Sequence, residues 1–208
     1  MKRKFALILV LVAALAGAAT AWITIRRPDA PPPALEQATM LDVARPLPQF
    51  ELVDQAGRAF QRDSLRGQWT LMFFGFTNCP DVCPTTLAAL AEVRHKLKDL
   101  PAGELPAVVF VSVDPARDTS EALGRYVAHF DPRFLGVTGQ PVAIEALTHD
   151  LGVAVSVGPV SEDGNYTVDH TAAIFLIDPS AAFTAIFGSP HVADVIARDY
   201  RSIVAAKH

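Results

Sequence analysis

Trp69-Thr70-Leu71-Met72-Phe73-Phe74 runs directly into Gly75-Phe76-Thr77-Asn78-Cys79-Pro80-Asp81-Val82-Cys83-Pro84. The first six residues carry apolar side chains on both faces, which marks a central strand of a sheet covered on both sides. Beyond Pro84, Leu87, Leu90, Val93, Leu97 and Leu100 recur at helical spacing, with Glu92, Arg94, Lys96 and Lys98 between them. Both cysteines of the chain therefore sit between a buried strand and a helix. Two thiols in that position can form a disulfide, exchange one, or hold a soft metal as thiolates.

Outward from this stretch, strands and helices alternate. Phe50–Asp54 and Arg58–Phe60 flank a Gly57 turn and predict a hairpin. Ala107–Val113 reads as a second buried strand. Asp118-Thr119-Ser120-Glu121 starts a helix that runs to about Phe130. Phe134–Val137 is a short strand, and Pro141 opens a helix closed at Gly152. Val153–Val157, the Asp163-Gly164 turn and Tyr166–Val168 predict an inserted hairpin. Ala172–Ile177 and Phe183–Phe187 are strands, and Ser189-Pro190 starts a last helix through Ala206. This order predicts an α/β fold, a three-layer sandwich around a mixed sheet.

The N-terminus predicts export. Lys2, Arg3 and Lys4 precede 21 uncharged residues, Phe5 to Ile25, which Arg26 and Arg27 close. That run is long enough to cross a bilayer once, and its charge asymmetry keeps residues 1–4 cytoplasmic. A cleaved signal peptide is the competing reading, since Ala16-Gly17-Ala18 and Ala19-Thr20-Ala21 offer cleavage patterns. The length of the run and its closing charges favour an uncleaved anchor at 5–25. The setting expected is a bacterial inner membrane, with a Pro-rich spacer over 26–44 and a periplasmic domain over 45–208. Setting aside the five basic residues of the leader takes the net charge from −4 to −9, which argues against nucleic acid as a partner.

A disulfide in an oxidising compartment follows readily from two cysteines. As a structural staple it has little value, because it would enclose only three residues. Pro80 suits the first turn of a helix, which puts Cys79 at its start, where free amides and the helix dipole favour a thiolate. Cys83 lies four residues on, so both sulfurs can face one side. Of the six histidines, His95 reads as solvated. His129 and His149 lie near helix ends, His191 falls in the first turn of the last helix, and His208 is terminal. His170 differs, because Asp169-His170-Thr171 lies in the connection just before an apolar strand, and that connection can lie beside the cysteine helix.

Phe74–Pro84, Val111-Ser112-Val113-Asp114-Pro115-Ala116-Arg117-Asp118-Thr119 and Asp169-His170-Thr171 together resemble the Sco/SenC family across roughly Arg45 to Val204. The resemblance implies a membrane-anchored, thioredoxin-like domain that binds copper, Cu(I) or Cu(II), through Cys79, Cys83 and His170. It implies a metallochaperone for the Cu-A centre, with cytochrome c oxidase subunit II as partner. A further periplasmic copper chaperone or a thioredoxin-like reductant would be a second partner. Many family members have histidine where this chain has Asn78, so a ligand at that position is absent here.

The chemistry agrees, since two thiolates suit Cu(I) and imidazole with thiolates can hold Cu(II). Asp81 and Asp169 flank the candidate ligands, and each can either orient His170 or be a solvated loop charge, the commoner case for a loop aspartate. Asp114 and Arg117 can pair at the rim, and Asp118 can cap the following helix. The alternative function is a thiol–disulfide oxidoreductase working through Cys79 and Cys83, reducing the Cu-A cysteines or other periplasmic disulfides. The three-residue spacing and His170-Thr171 before the facing strand weigh against that reading. A peroxidase ranks last, because Cys79-Pro80-Asp81 lacks the Thr and Arg pattern such a cysteine needs.

Overall fold

A computed structural model of the chain describes residues 34–162 and 164–207. The expected membrane span at 5–25 lies outside them, as does His208. Among the described residues no helix is long and apolar enough to cross a membrane.

The strands are β1 Ala38–Pro46, β2 Glu51–Asp54, β3 Ala59–Gln61, β4 Thr70–Gly75, β5 Ala107–Ser112, β6 Leu135–Thr138, β7 Val155–Val157, β8 Val168–His170, β9 Ile174–Ile177 and β10 Ala182–Phe187. The helices are α1 Val82–Lys96, α2 Ser120–Ala128, α3 Pro141–Leu151 and α4 Ala193–Ala205. Eight strands form one mixed sheet in the order β1-β10-β9-β4-β5-β6-β2-β3, and β7-β8 form a separate ribbon. β4 pairs in parallel with β5 and antiparallel with β9, Phe73 lying opposite Phe110 and Ile174. Every residue of β4 is buried, which is why its sequence shows no polar alternation.

The two faces of β4 carry separate aromatic layers. Phe73 packs on Phe110, and Phe110 on Tyr126 of α2, so this face meets the helices; α1 and α4 contact each other. On the other face Phe74 meets Phe175 edge-on, and Phe175 packs at a tilt against Phe183. Arg45 lies over Phe183 and donates to the Asp150 carbonyl of α3, which ties α3 to that side. Helices, sheet and helix make the three layers expected.

Several boundaries differ from the sequence expectation. Residues 38–44, read as spacer, belong to β1, which pairs with β10 along the sheet edge. Its backbone start is held by Asp199 of α4, whose carboxylate accepts from the amides of Glu36, Gln37 and Ala38. The last helix begins at Ala193 rather than Ser189. The Gly57 hairpin forms as expected, with Gly57 at φ +75, a left-handed conformation that favours glycine.

Candidate metal centre

The two cysteines leave β4 on a turn. The Cys79 amide donates to the Phe76 carbonyl at 3.3 Å, and α1 begins only at Val82. Cys79 therefore sits ahead of the helix rather than at its start, and Cys83 falls in its first turn, because the helix begins later than the sequence expectation. The reason is local. The turn consumes Thr77 to Pro80, and Pro84 rather than Pro80 takes a first-turn position where no amide partner is needed. The free Cys83 amide donates to Cys79 Sγ at 3.4 Å, so the helix end still serves the first thiol.

Both cysteines are free thiols; Cys79 is half-exposed and Cys83 fully buried. Burial pushes the Cys83 thiol up, against a hydrogen bond from the Phe76 backbone, and the neighbouring Cys79 and Asp118 push the same way. Its seat exists because residue 75 has no side chain. A Cβ there would meet Cys83 Sγ at 2.6 Å and the Phe110 ring at 2.7 Å.

His170 reaches the thiols from β8. It lies on a strand opposite Val155, not in a connection as expected. Its Nε2 stands 3.5 Å from Cys83 Sγ, and its ring meets the rings of Phe76 and Phe73 edge-on. Nδ1 is 3.2 Å from the Thr171 carbonyl. A carbonyl only accepts, so Nδ1 carries the proton and Nε2 turns a lone pair to the sulfurs. Burial pushes the imidazole pKa down, against the Thr171 carbonyl and Asp169, which keeps the ring neutral at neutral pH. The backbone carbonyl thus orients the ring. Asp81 instead accepts from the Thr85 hydroxyl one turn on, and Asp169 faces solvent.

One ligand atom each from Cys79, Cys83 and His170 lies within 4.8 Å of the others. Two thiols and a neutral imidazole, converging at the edge of an open groove of about 290 Å³, form a donor set that fits a soft metal ion. Neutral Nε2 is already in the ligating tautomer, and metal binding would release the thiol protons.

The other histidines among the described residues stay apart. His95 is exposed at the end of α1, His129 meets the Phe130 ring edge-on, and His149 lies in the last turn of α3. His191 is not helical; it precedes α4, packs on Phe73 and meets the Thr86 hydroxyl at 3.0 Å.

The Asp114–Asp118 loop does more than the sequence suggested. Thr119, not Asp118, caps α2, accepting from the Ala122 amide at 3.2 Å. Asp118 is buried and accepts from the Thr77 amide, the Thr77 hydroxyl and the Ser112 hydroxyl. It therefore pins the cysteine turn to the end of β5. Asp114 pairs with Arg117 as expected, and both also engage Tyr166 of the inserted hairpin, a link across about 50 residues that no spacing rule signals.

A SCO1/SenC family model matches residues 39–205 of the chain. A human relative, Protein SCO2 homolog, mitochondrial, is 40% identical over 197 residues, covering 92% of this chain and 72% of that protein. The structure of Bradyrhizobium japonicum ScoI with copper bound is similar, with a TM-score of 0.67 and 38% identity over 75% of this chain and 98% of that one. Arabidopsis thaliana ScoI with copper bound gives a TM-score of 0.71 and 34% identity over 76% of this chain and 98% of that one. In sequence and in thioredoxin-like fold alike, the chain belongs to the SCO1/SenC family.

Proposed function

We propose that this protein is a copper metallochaperone that loads or prepares the Cu-A centre of cytochrome c oxidase subunit II. Cys79, Cys83 and His170 are its copper ligands. The observation that carries the reading is the convergence of two sulfurs and Nε2 within 4.8 Å, from a turn, a helix and a strand. Relatives with solved copper-bound structures support the choice of metal. Thiolates favour Cu(I), and the imidazole extends the site to Cu(II). The half-exposed Cys79 is the natural point of entry and exit, since a partner's thiolate can reach it while Cys83 stays covered. The N-terminal segment would tether the domain to a bacterial inner membrane, with the site in the periplasm.

The test is copper stoichiometry on the full chain in detergent, fully reduced, beside His170→Ala. About one copper per reduced chain, with binding weakened in the variant, supports the reading. No tight copper in the wild type, or unchanged binding in the variant, would overturn it.

A second reading, a thiol–disulfide reductase for the Cu-A cysteines, draws on the free thiols themselves. Their sulfurs lie within reach of one another, and the Cys83 amide already points at Cys79 Sγ. A reduction potential in the range of known dithiol reductants, together with no tight copper, would favour it.

A further inference from the structure

The ribbon that carries His170 is not part of the main sheet. Among the described residues β7 and β8 pair only with each other, through Val155–His170, Ser156–Asp169 and Val157–Val168. A two-stranded ribbon is marginal on its own in water, so its order depends on what ties it to the body. Its strand β7 is exposed throughout. The ribbon meets the body through Val168, buried in the core, through His170 on Phe73 and Phe76, and through Tyr166, four residues before His170, where the polar ties lie. The Arg117 guanidinium lies 3.6 Å from the Tyr166 ring centroid and 5.7 Å from that of Phe76. Its Nη1 donates to the Tyr166 carbonyl at 3.0 Å and to Asn165 Oδ1 at 3.1 Å. Its Nε donates to Asp114, and Asp114 also accepts from the Tyr166 hydroxyl at 2.6 Å. Arg117 and Asp114 are both largely shielded, with side chains 21% and 4% exposed. Stacking, a two-acceptor edge and an ion pair in one plane are what a guanidinium provides and an ammonium cannot.

Resting on the reading of Cys79, Cys83 and His170 as copper ligands, we propose that Arg117 is a positioning residue for that site. It clamps Tyr166 to the loop after β5, and so holds His170 over the two thiols. Asp118 of the same loop holds the cysteine turn through Thr77. One five-residue segment thus sets the distance between the imidazole and the sulfurs. Releasing Arg117 frees the ribbon, withdraws the nitrogen ligand and leaves the two thiols in place.

The experiment uses the full chain in detergent as wild type, Arg117→Ala, Arg117→Lys, His170→Ala and the Arg117→Ala/His170→Ala double variant. Cu(I) affinity is read by competition with a chromophoric chelator, and amide hydrogen exchange is read on the metal-free wild type and both Arg117 variants. Arg117→Ala is expected to weaken Cu(I) by about 10- to 100-fold, as loss of a ligand-orienting partner does. Arg117→Lys recovers little of this, and in the His170→Ala background Arg117→Ala causes no further loss. Exchange rises across 155–170, while α4 keeps its protection. An affinity loss equal in both backgrounds, unchanged affinity, or unchanged exchange in the ribbon would overturn the proposal. If His170→Ala binds Cu(I) like wild type, the ligand assignment fails, and the exchange data still decide whether Arg117 holds the ribbon.

Discussion

His170 Nε2 and Cys83 Sγ stand 3.5 Å apart although 87 positions separate the residues. The contact joins a helix end to a ribbon outside the main sheet. It is made with a neutral imidazole whose proton is committed to Thr171 on its far side. A thiol and a lone pair held in this way are poised for a metal, and His170→Ala removes the nitrogen while leaving both sulfurs. Its Cu(I) affinity should fall by about 100-fold or more, beyond the typical effect of an outer partner. Competition titration of the reduced full chain checks this.

Redox state should gate the site. Cys79 and Cys83 both serve as thiolate ligands in this account, so oxidation to a disulfide should abolish Cu(I) binding. Copper retained after complete oxidation, verified by thiol counting, would contradict that. His170→Ala should still form the disulfide, because neither sulfur depends on the imidazole for its placement.

Gly75→Ala tests the seat of the buried thiol. The added methyl would fall 2.6 Å from Cys83 Sγ and 2.7 Å from the Phe110 ring, and both are boxed in by the core. Overpacking of this kind costs about 1–3 kcal/mol. Urea unfolding of the metal-free protein should show that loss, with weaker Cu(I) binding if, as proposed, the sulfur that must move is a ligand.

Acid should loosen the fold through Asp131. The Arg133 guanidinium hydrogen-bonded to it holds its carboxyl below the usual carboxylate range, against burial, with further help from the Arg133 amide and Arg94. A lowered folded pKa means the stabilisation is present above the unfolded value of 3.8 and is lost as pH falls through the folded value. Asp131→Asn should therefore cost about 1.5–3 kcal/mol at pH 7, the range for charge-assisted hydrogen bonds. Its deficit should shrink as pH drops below about 4, and urea melts of both proteins at the two pH values read the difference.

What could be read from the residues followed from local pattern. β4 was legible because burial on both faces leaves a continuous apolar run, and α1 because its leucines keep helical spacing. The three candidate ligands were legible only as a set, through motifs that resemble one family. β1 was not, since an edge strand with half-exposed residues shows no clean alternation. The later helix start, which leaves Cys79 outside and Cys83 in the first turn, turned on how many residues the turn consumed, which composition does not encode. The Arg117–Tyr166 stack joins two loops far apart in the chain, and no periodicity marks such a pair. Asp169 invited a role beside His170 by adjacency, but alternation along β8 turns it to solvent and leaves the Thr171 carbonyl to orient the ring.

Copper X-ray absorption is the most direct test of the central claim. The reduced full chain in detergent would be loaded with one equivalent of Cu(I), beside His170→Ala. The account predicts two sulfur scatterers and one imidazole nitrogen in the wild type, with the imidazole signal lost and both sulfurs kept in the variant. The same imidazole signal in both proteins, or a wild-type site without two sulfurs, would contradict it.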